Sequence, residues 1–160
     1  MYSRIVLLAG VLVLPFAMKP SGDAPIDRAT LKGLGAVGVV VDKIDPELMK
    51  QGLTEEVVRK QVEGRLHDAG IGVDPSAKEF VGVRLLEVRA GRGPYALCLS
   101  VGMFQPVVLS RNKDIRTATE TWSVETILLA GPKVVSREAL TSVDELADRL
   151  TTAYRNANPK

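Results

Sequence analysis

Two side chains that often carry catalysis occur once each in this sequence, His67 and Cys98. A histidine base needs a nucleophile on one side and an orienting acid on the other. Asp68 follows His67 directly, but neighbours on a helix project about 100° apart and do not face each other, so no dyad is expected. Zinc and iron sites draw on several ligands, and one histidine with one cysteine on a distant strand supplies no ligand spacing, so neither a metal nor another cofactor is expected. Ser100, Ser110 and Ser123 are nucleophile candidates beside Cys98. None sits in a G-x-S-x-G elbow, and His67 would have to serve any of them as base. Carboxylate pairs of the kind that cleave glycosides occur at Glu55–Glu56 and Asp144–Glu145. Both fall where a helix is expected to begin, and the helix dipole accounts for them there. Gly33, Gly35 and Gly38 spell G-x-G-x-x-G. A dinucleotide fingerprint must follow a strand and open a helix, whereas these glycines lead into Val39–Val41 and read as strand entry. The chain therefore reads as non-enzymatic. The competing reading is a small hydrolase or transferase assembled from isolated residues, for which His67 is the discriminating side chain.

Composition narrows the partner as well. The chain has 160 residues, 46% of them hydrophobic and 25% charged, which excludes a disordered polyelectrolyte and a multipass membrane protein. A net charge of +2, from 21 basic and 19 acidic residues without a long run of one sign, lacks the basic footprint of a nucleic-acid binder. Arg89 and Arg92 fall in one expected hairpin turn, and Arg111, Lys113 and Arg116 in the next. Successive turns of a meander lie at opposite ends of their shared strand, so these charges do not gather into one groove.

Arg4 precedes an uncharged, apolar run from Ile5 to Met18. As a helix this run reaches about 21 Å, short of the roughly 30 Å hydrocarbon core, and Pro15 interrupts it. Residues 1–18 read as a signal peptide or a retained N-terminal anchor, the latter being the one membrane contact expected. No clean small-x-small triplet precedes Lys19, and the Ala24 candidate is followed by Pro25. The expected destination is the periplasm or another envelope location. Lipidation would need a cysteine just after the apolar run, and Cys98 lies far from it. A single cysteine cannot close an internal disulfide, so Cys98 is expected to be buried as a small hydrophobe, with an intermolecular bond as its alternative.

Behind these residues stand the elements that must hold them. Pro20, Ser21, Gly22, Asp23 and Pro25 resist regular structure, and residues 19–30 read as a linker to one domain at 31–160. Ala36–Val41, continuously apolar and β-branched, predicts an interior strand buried on both faces. Thr54 as N-cap, Glu55 and Glu56 in the first turn, and Val58, Val62, Leu66 and Ala69 at helical spacing predict a helix that ends at Ala69, before Gly70. Ile71–Val73 reads as a short extended return. Val81, Val83 and Leu85 alternate with Gly82, Arg84 and Leu86. After the turn at Ala90–Pro94, Tyr95, Leu97, Leu99, Val101 and Met103 alternate with Ala96, Cys98, Ser100 and Gly102. Pro106 is expected to break or bulge that strand. Beyond the turn at Arg111–Asp114, Trp122, Val124 and Leu128 oppose Thr119, Thr121, Ser123 and Glu125. Ser142 with Glu145 forms a capping box that predicts the start of a C-terminal helix. This order gives an α+β fold, a two-layer sandwich with a mainly antiparallel sheet and two helices on one face.

The order, together with the helix end Leu66-His67-Asp68-Ala69-Gly70-Ile71 and the meander and helix after it, resembles small α+β domains of bacterial envelope proteins, such as the TolB N-terminal and CsgG-like domains. The resemblance spans Leu34–Asn158 and implies envelope assembly or transport accessory work without catalysis. The lipoproteins of that group carry an N-terminal lipidated cysteine, which this chain lacks.

If the large apolar set of the meander faces the helices, the other side displays Arg84, Cys98, Ser100, Thr119, Thr121 and Ser123. That face is expected to be flat and small-residued, either wet or close-packed against an envelope protein or a second copy.

Overall fold

Alternation along three long strands sorts their side chains into two layers. A computed structural model describes residues 22–89 and 91–159, so the signal peptide or anchor expected at residues 1–18 lies outside the described residues. The elements run α1 (Pro25–Ala29), β1 (Ala36–Val41), α2 (Pro46–Met49), α3 (Glu55–Asp68), β2 (Gly72–Val73), β3 (Phe80–Arg89), β4 (Tyr95–Leu109), β5 (Asn112–Ala130) and α4 (Val135–Ala157). The five-stranded sheet has the order β2-β1-β3-β4-β5. The expected α+β sandwich is present, with a sheet that is mixed. β3, β4 and β5 form the antiparallel meander, whereas β1 runs parallel to both β2 and β3. The parallel pairs arise because α3 returns the chain across the sheet between β1 and β2.

Thr54 caps α3, its side chain accepting from the Val57 N–H, and Val58, Val62 and Leu66 are its buried stripe. Gly70, at φ +80°, closes the helix in the left-handed conformation that a side chain would resist. One core joins α3 and α4 to Val37 of β1, Val81, Val83 and Leu85 of β3, Tyr95 to Met103 of β4 at alternate positions, and Trp122 and Val124 of β5. Arg65 reaches from α3 to α4, donating through Nε to Asp144 Oδ1 at 2.6 Å and through Nη2 to Asp144 Oδ2.

Four sequence expectations change. β1 is interior to the sheet but is covered on one side, since Val37 is fully buried while Val40 is 46% exposed on the face without helices. Residues 22–30 are fastened to the domain and do not form a free linker. Asp23 accepts from Trp122 Nε1 at 2.9 Å and from Arg28 Nε at 2.7 Å, and Pro25 opens α1. Helix α4 begins at Val135, and Ser142 and Glu145 lie within it, because Val135, Ala139 and Val143 already form its buried stripe. A capping box cannot act where the backbone before it is helical. Finally, β4 runs straight through Pro106, and the register shifts fall on either side of it, between Met103 and Phe104 and between Val108 and Leu109. Pro106 lies past the last β3 partner, Phe80, where β4 has a free side and proline is tolerated.

Candidate functional site

On the face opposite the helices, β3, β4 and β5 contribute rows of three residues, and β1 adds Gly38 beside Phe80 and Val40 beside Gly82. Going along β4 from its far end, the rows are Phe80–Phe104–Glu120, Gly82–Gly102–Ser123, Arg84–Ser100–Glu125, Leu86–Cys98–Ile127 and Val88–Ala96–Leu129. Arg84, Cys98, Ser100 and Ser123 lie on this open face, and Cys98 is only partly buried there, not enclosed as expected.

Thr119 and Thr121 do not. Met103 pairs with Trp122 and Phe104 with Glu120, so Thr121 is an extra residue on β5 that reverses the alternation beyond it. Thr119 consequently pairs with Gln105 on the helix side. Thr121 Oγ1 donates to Gln105 Oε1 at 2.6 Å, and Gln105 Nε2 donates to the Thr30 carbonyl at 3.3 Å and to Glu79 Oε1 at 3.1 Å. The bulge ties the N-terminal lead-in to the sheet and turns Thr119 and Thr121 away from the open face.

The small residues of the open face are partly covered by the chain itself. A Cβ on Gly82 would stand 2.7 Å from Phe104 Cε2, and one on Gly102 would stand 2.6 Å from Glu120 Oε2. Glycine at these positions lets Phe104 lie flat, stacked on Phe80 at a centroid distance of 5.0 Å. Beside this pair a cleft of about 280 Å³ is bordered by Asp42, Arg84, Ser100 and Glu120. Arg84 Nε donates to Asp42 Oδ2 at 3.0 Å, with both side chains about half exposed.

The other end of the face is aliphatic. Leu86, Val88, Ile127 and Leu129 are 58%, 73%, 81% and 71% exposed, and Cys98 and Ala96 lie between them. This is a contiguous patch on the order of 500 Å², comparable with the largest apolar patch on a typical monomer, which is often functional. The sequence reading missed these residues because it followed the strongest alternation. The signal was present in Leu85-Leu86 and in Ile127-Leu128-Leu129, where apolar residues occupy both parities of a strand.

The isolated chemical groups stay apart from this face. The His67 side chain is 89% exposed at the end of α3, with Nδ1 3.8 Å from Asp68 Oδ1. Glu55 accepts from the Ile44 N–H at 3.0 Å, and that backbone bond holds its carboxyl below the ordinary range. Glu56 is likewise lowered, by its bond to Lys60. Asp144 is held low by Arg65 and belongs to the middle of α4, so the expected first-turn role does not apply to it. Gly33, at φ +74°, lies in the turn before β1, and Gly38 lies within β1. Arg89 folds back over the Tyr95 ring at 4.4 Å, while Arg111, Lys113 and Arg116 are exposed at the opposite end of β4. Among the described residues no three His, Cys, Asp or Glu side chains are grouped to hold a metal, and no helix is long and apolar enough to cross a membrane.

No protein-family model and no curated protein sequence matches this chain. Solved structures that align with this chain include a PelC L103M dodecamer from Paraburkholderia phytofirmans, at TM-score 0.44 and 14% identity over 75% of this chain and 89% of that one. A minor lipoprotein from Acinetobacter baumannii aligns at TM-score 0.32 and 12% identity, over 78% and 93% of the two chains. A hemagglutinin homolog from Helicobacter pylori aligns at TM-score 0.27 and 9% identity, over 76% and 86%. At such identities residue roles do not transfer from those proteins to this one.

Proposed function

We propose that this protein is an exported, non-enzymatic accessory or binding module of the cell envelope that holds a protein partner on its open sheet face. The observation that carries the reading is the aliphatic block of Leu86, Val88, Ile127 and Leu129, each more than half exposed on one side of a sheet whose other side carries the hydrophobic core. Solvent contact of that much apolar surface costs about 25 cal/mol per Å², and docking a partner recovers it. Arg4 and the apolar run that follows support the envelope location.

The test is the pair Ile127→Glu with Leu129→Glu. Both side chains point away from the core, so the thermal melt should stay near that of the parent chain, while proteins retained from an envelope extract should be lost. Equal retention by the folded variant would overturn the reading. So would an activity in a substrate screen that disappears in folded His67→Ala.

A further inference from the structure

The partner that the open face fits best is another copy of itself, and we infer that two copies pack face to face about a two-fold axis lying along β4. This deepens the reading of the open face as a docking surface and rests on it.

The strand register supplies the argument. Arg84 on β3 and Glu125 on β5 flank Ser100 of β4 in a single row, opposite charges one strand to either side of the centre. A two-fold axis along β4, between the facing sheets, exchanges β3 and β5 but keeps each row in place. Arg84 of each copy then faces Glu125 of the other, giving two unlike pairs. In the next rows Leu86 faces Ile127, and Val88 faces Leu129. An axis running across the strands fails this test. Centred on the charged row it stacks Arg84 on Arg84 and Glu125 on Glu125, and centred on the Cys98 row it sets the charges against Val88 and Leu129. Packed sheets cross at about 30°, which shifts a row by only about 2–3 Å at one strand spacing from the axis, within the reach of arginine and glutamate side chains.

Size agrees with the geometry. Each copy contributes apolar surface on the order of 500 Å² before the polar rows are added, near the lower range of specific interfaces, which bury about 1,200 Å² in total. The Arg84 pair with Asp42 does not compete, because a half-exposed guanidinium has further donors to offer. Cys98, central in its row, would face its counterpart across roughly the 10 Å between packed sheets, too far for a disulfide and within the span of a short bismaleimide.

The experiment is sedimentation equilibrium of the full chain, with Arg84→Glu, Glu125→Lys and the swap Arg84→Glu/Glu125→Arg, each checked by a thermal melt. The parent chain should dimerise. Each single change places like charges together twice per dimer and should raise the dissociation constant at least about tenfold, and the swap should recover most of that loss. If Arg84→Glu disturbs folding through Asp42, Glu125→Lys leaves that pair intact and decides the matter. Bismaleimide should link two copies of the parent chain through Cys98 and should not link Cys98→Ser. A monomer at all concentrations, association indifferent to the single changes, or no recovery in the swap would overturn the inference. If the chain is monomeric while the parent, and not Ile127→Glu/Leu129→Glu, still retains an envelope protein, the self-pairing fails and the docking face stands. If both are absent, both fail.

Discussion

Glu87 shows how one side chain can work against its fold. Its place on β3, two residues after the buried Leu85, turns it toward the helix layer at the end of the sheet, and Oε2 is enclosed without a hydrogen-bond partner among the described residues. Burial pushes its carboxyl above the ordinary range, the Asp45 and Glu47 charges add to this, and Arg89 opposes it. A carboxyl raised on folding favours the folded state only while it is protonated. The penalty is absent below the unfolded value of about 4.3 and grows as pH rises through the folded value. Glu87→Gln should therefore stabilise the protein by up to about 1 kcal/mol at pH 7 and change nothing near pH 3.5. Melts across that range check it, and a variant destabilised at pH 7 but not near pH 3.5 would show that the carboxylate has a partner.

At the scale of elements, α4 holds the two layers together. It lies on β4 and β5, meets α3 through Arg65 and Asp144, and buries Val143, Leu146, Ala147 and Leu150. Leu150 is 1% exposed, so Leu150→Ala should leave a cavity and cost about 2–5 kcal/mol in a denaturant titration. A loss below about 0.5 kcal/mol would mean that the site collapses around the smaller residue. The helix was legible in its apolar spacing, but its start was not. Ser142-x-x-Glu145 satisfies a local rule, and the rule is overridden because Val135 and Ala139 gain burial by extending the helix backward.

Across the whole molecule, stability is unevenly distributed. β3 begins opposite Phe104, yet the pairing of β4 with β5 extends past it through Gln105–Thr119 to Leu109–Asn112, leaving a two-stranded ribbon beyond the sheet. Its β5 strand is exposed from Asn112 to Glu120. A ribbon with neither a third strand nor a helix over it is marginal by itself. Amide exchange at Val107, Val108, Arg116 and Thr117 should run through local opening. Exchange at Leu97–Val101 should approach the rate set by global unfolding, a difference of several orders of magnitude. Equal protection of the two regions would place a partner on the ribbon.

What the amino-acid order determined by itself was local. Thr54 and Gly70 bound α3, the two-residue period of β3 and β4 divides their side chains between faces, and the element order leads to two layers. Each of these depends on neighbours in the chain: a capping oxygen, a residue free to take positive φ, or the opposite pointing of successive strand residues. The composition of the open face was a tertiary decision. A single extra residue, Thr121, reverses the alternation of β5 and removes Thr119 and Thr121 from the face. Phe104 and Glu120 cover Gly82 and Gly102, and Leu86, Val88, Ile127 and Leu129 are left in water. The physical reason is that a strand assigns its residues to two sides, but only register between strands and the docking of the helices decides which side becomes core.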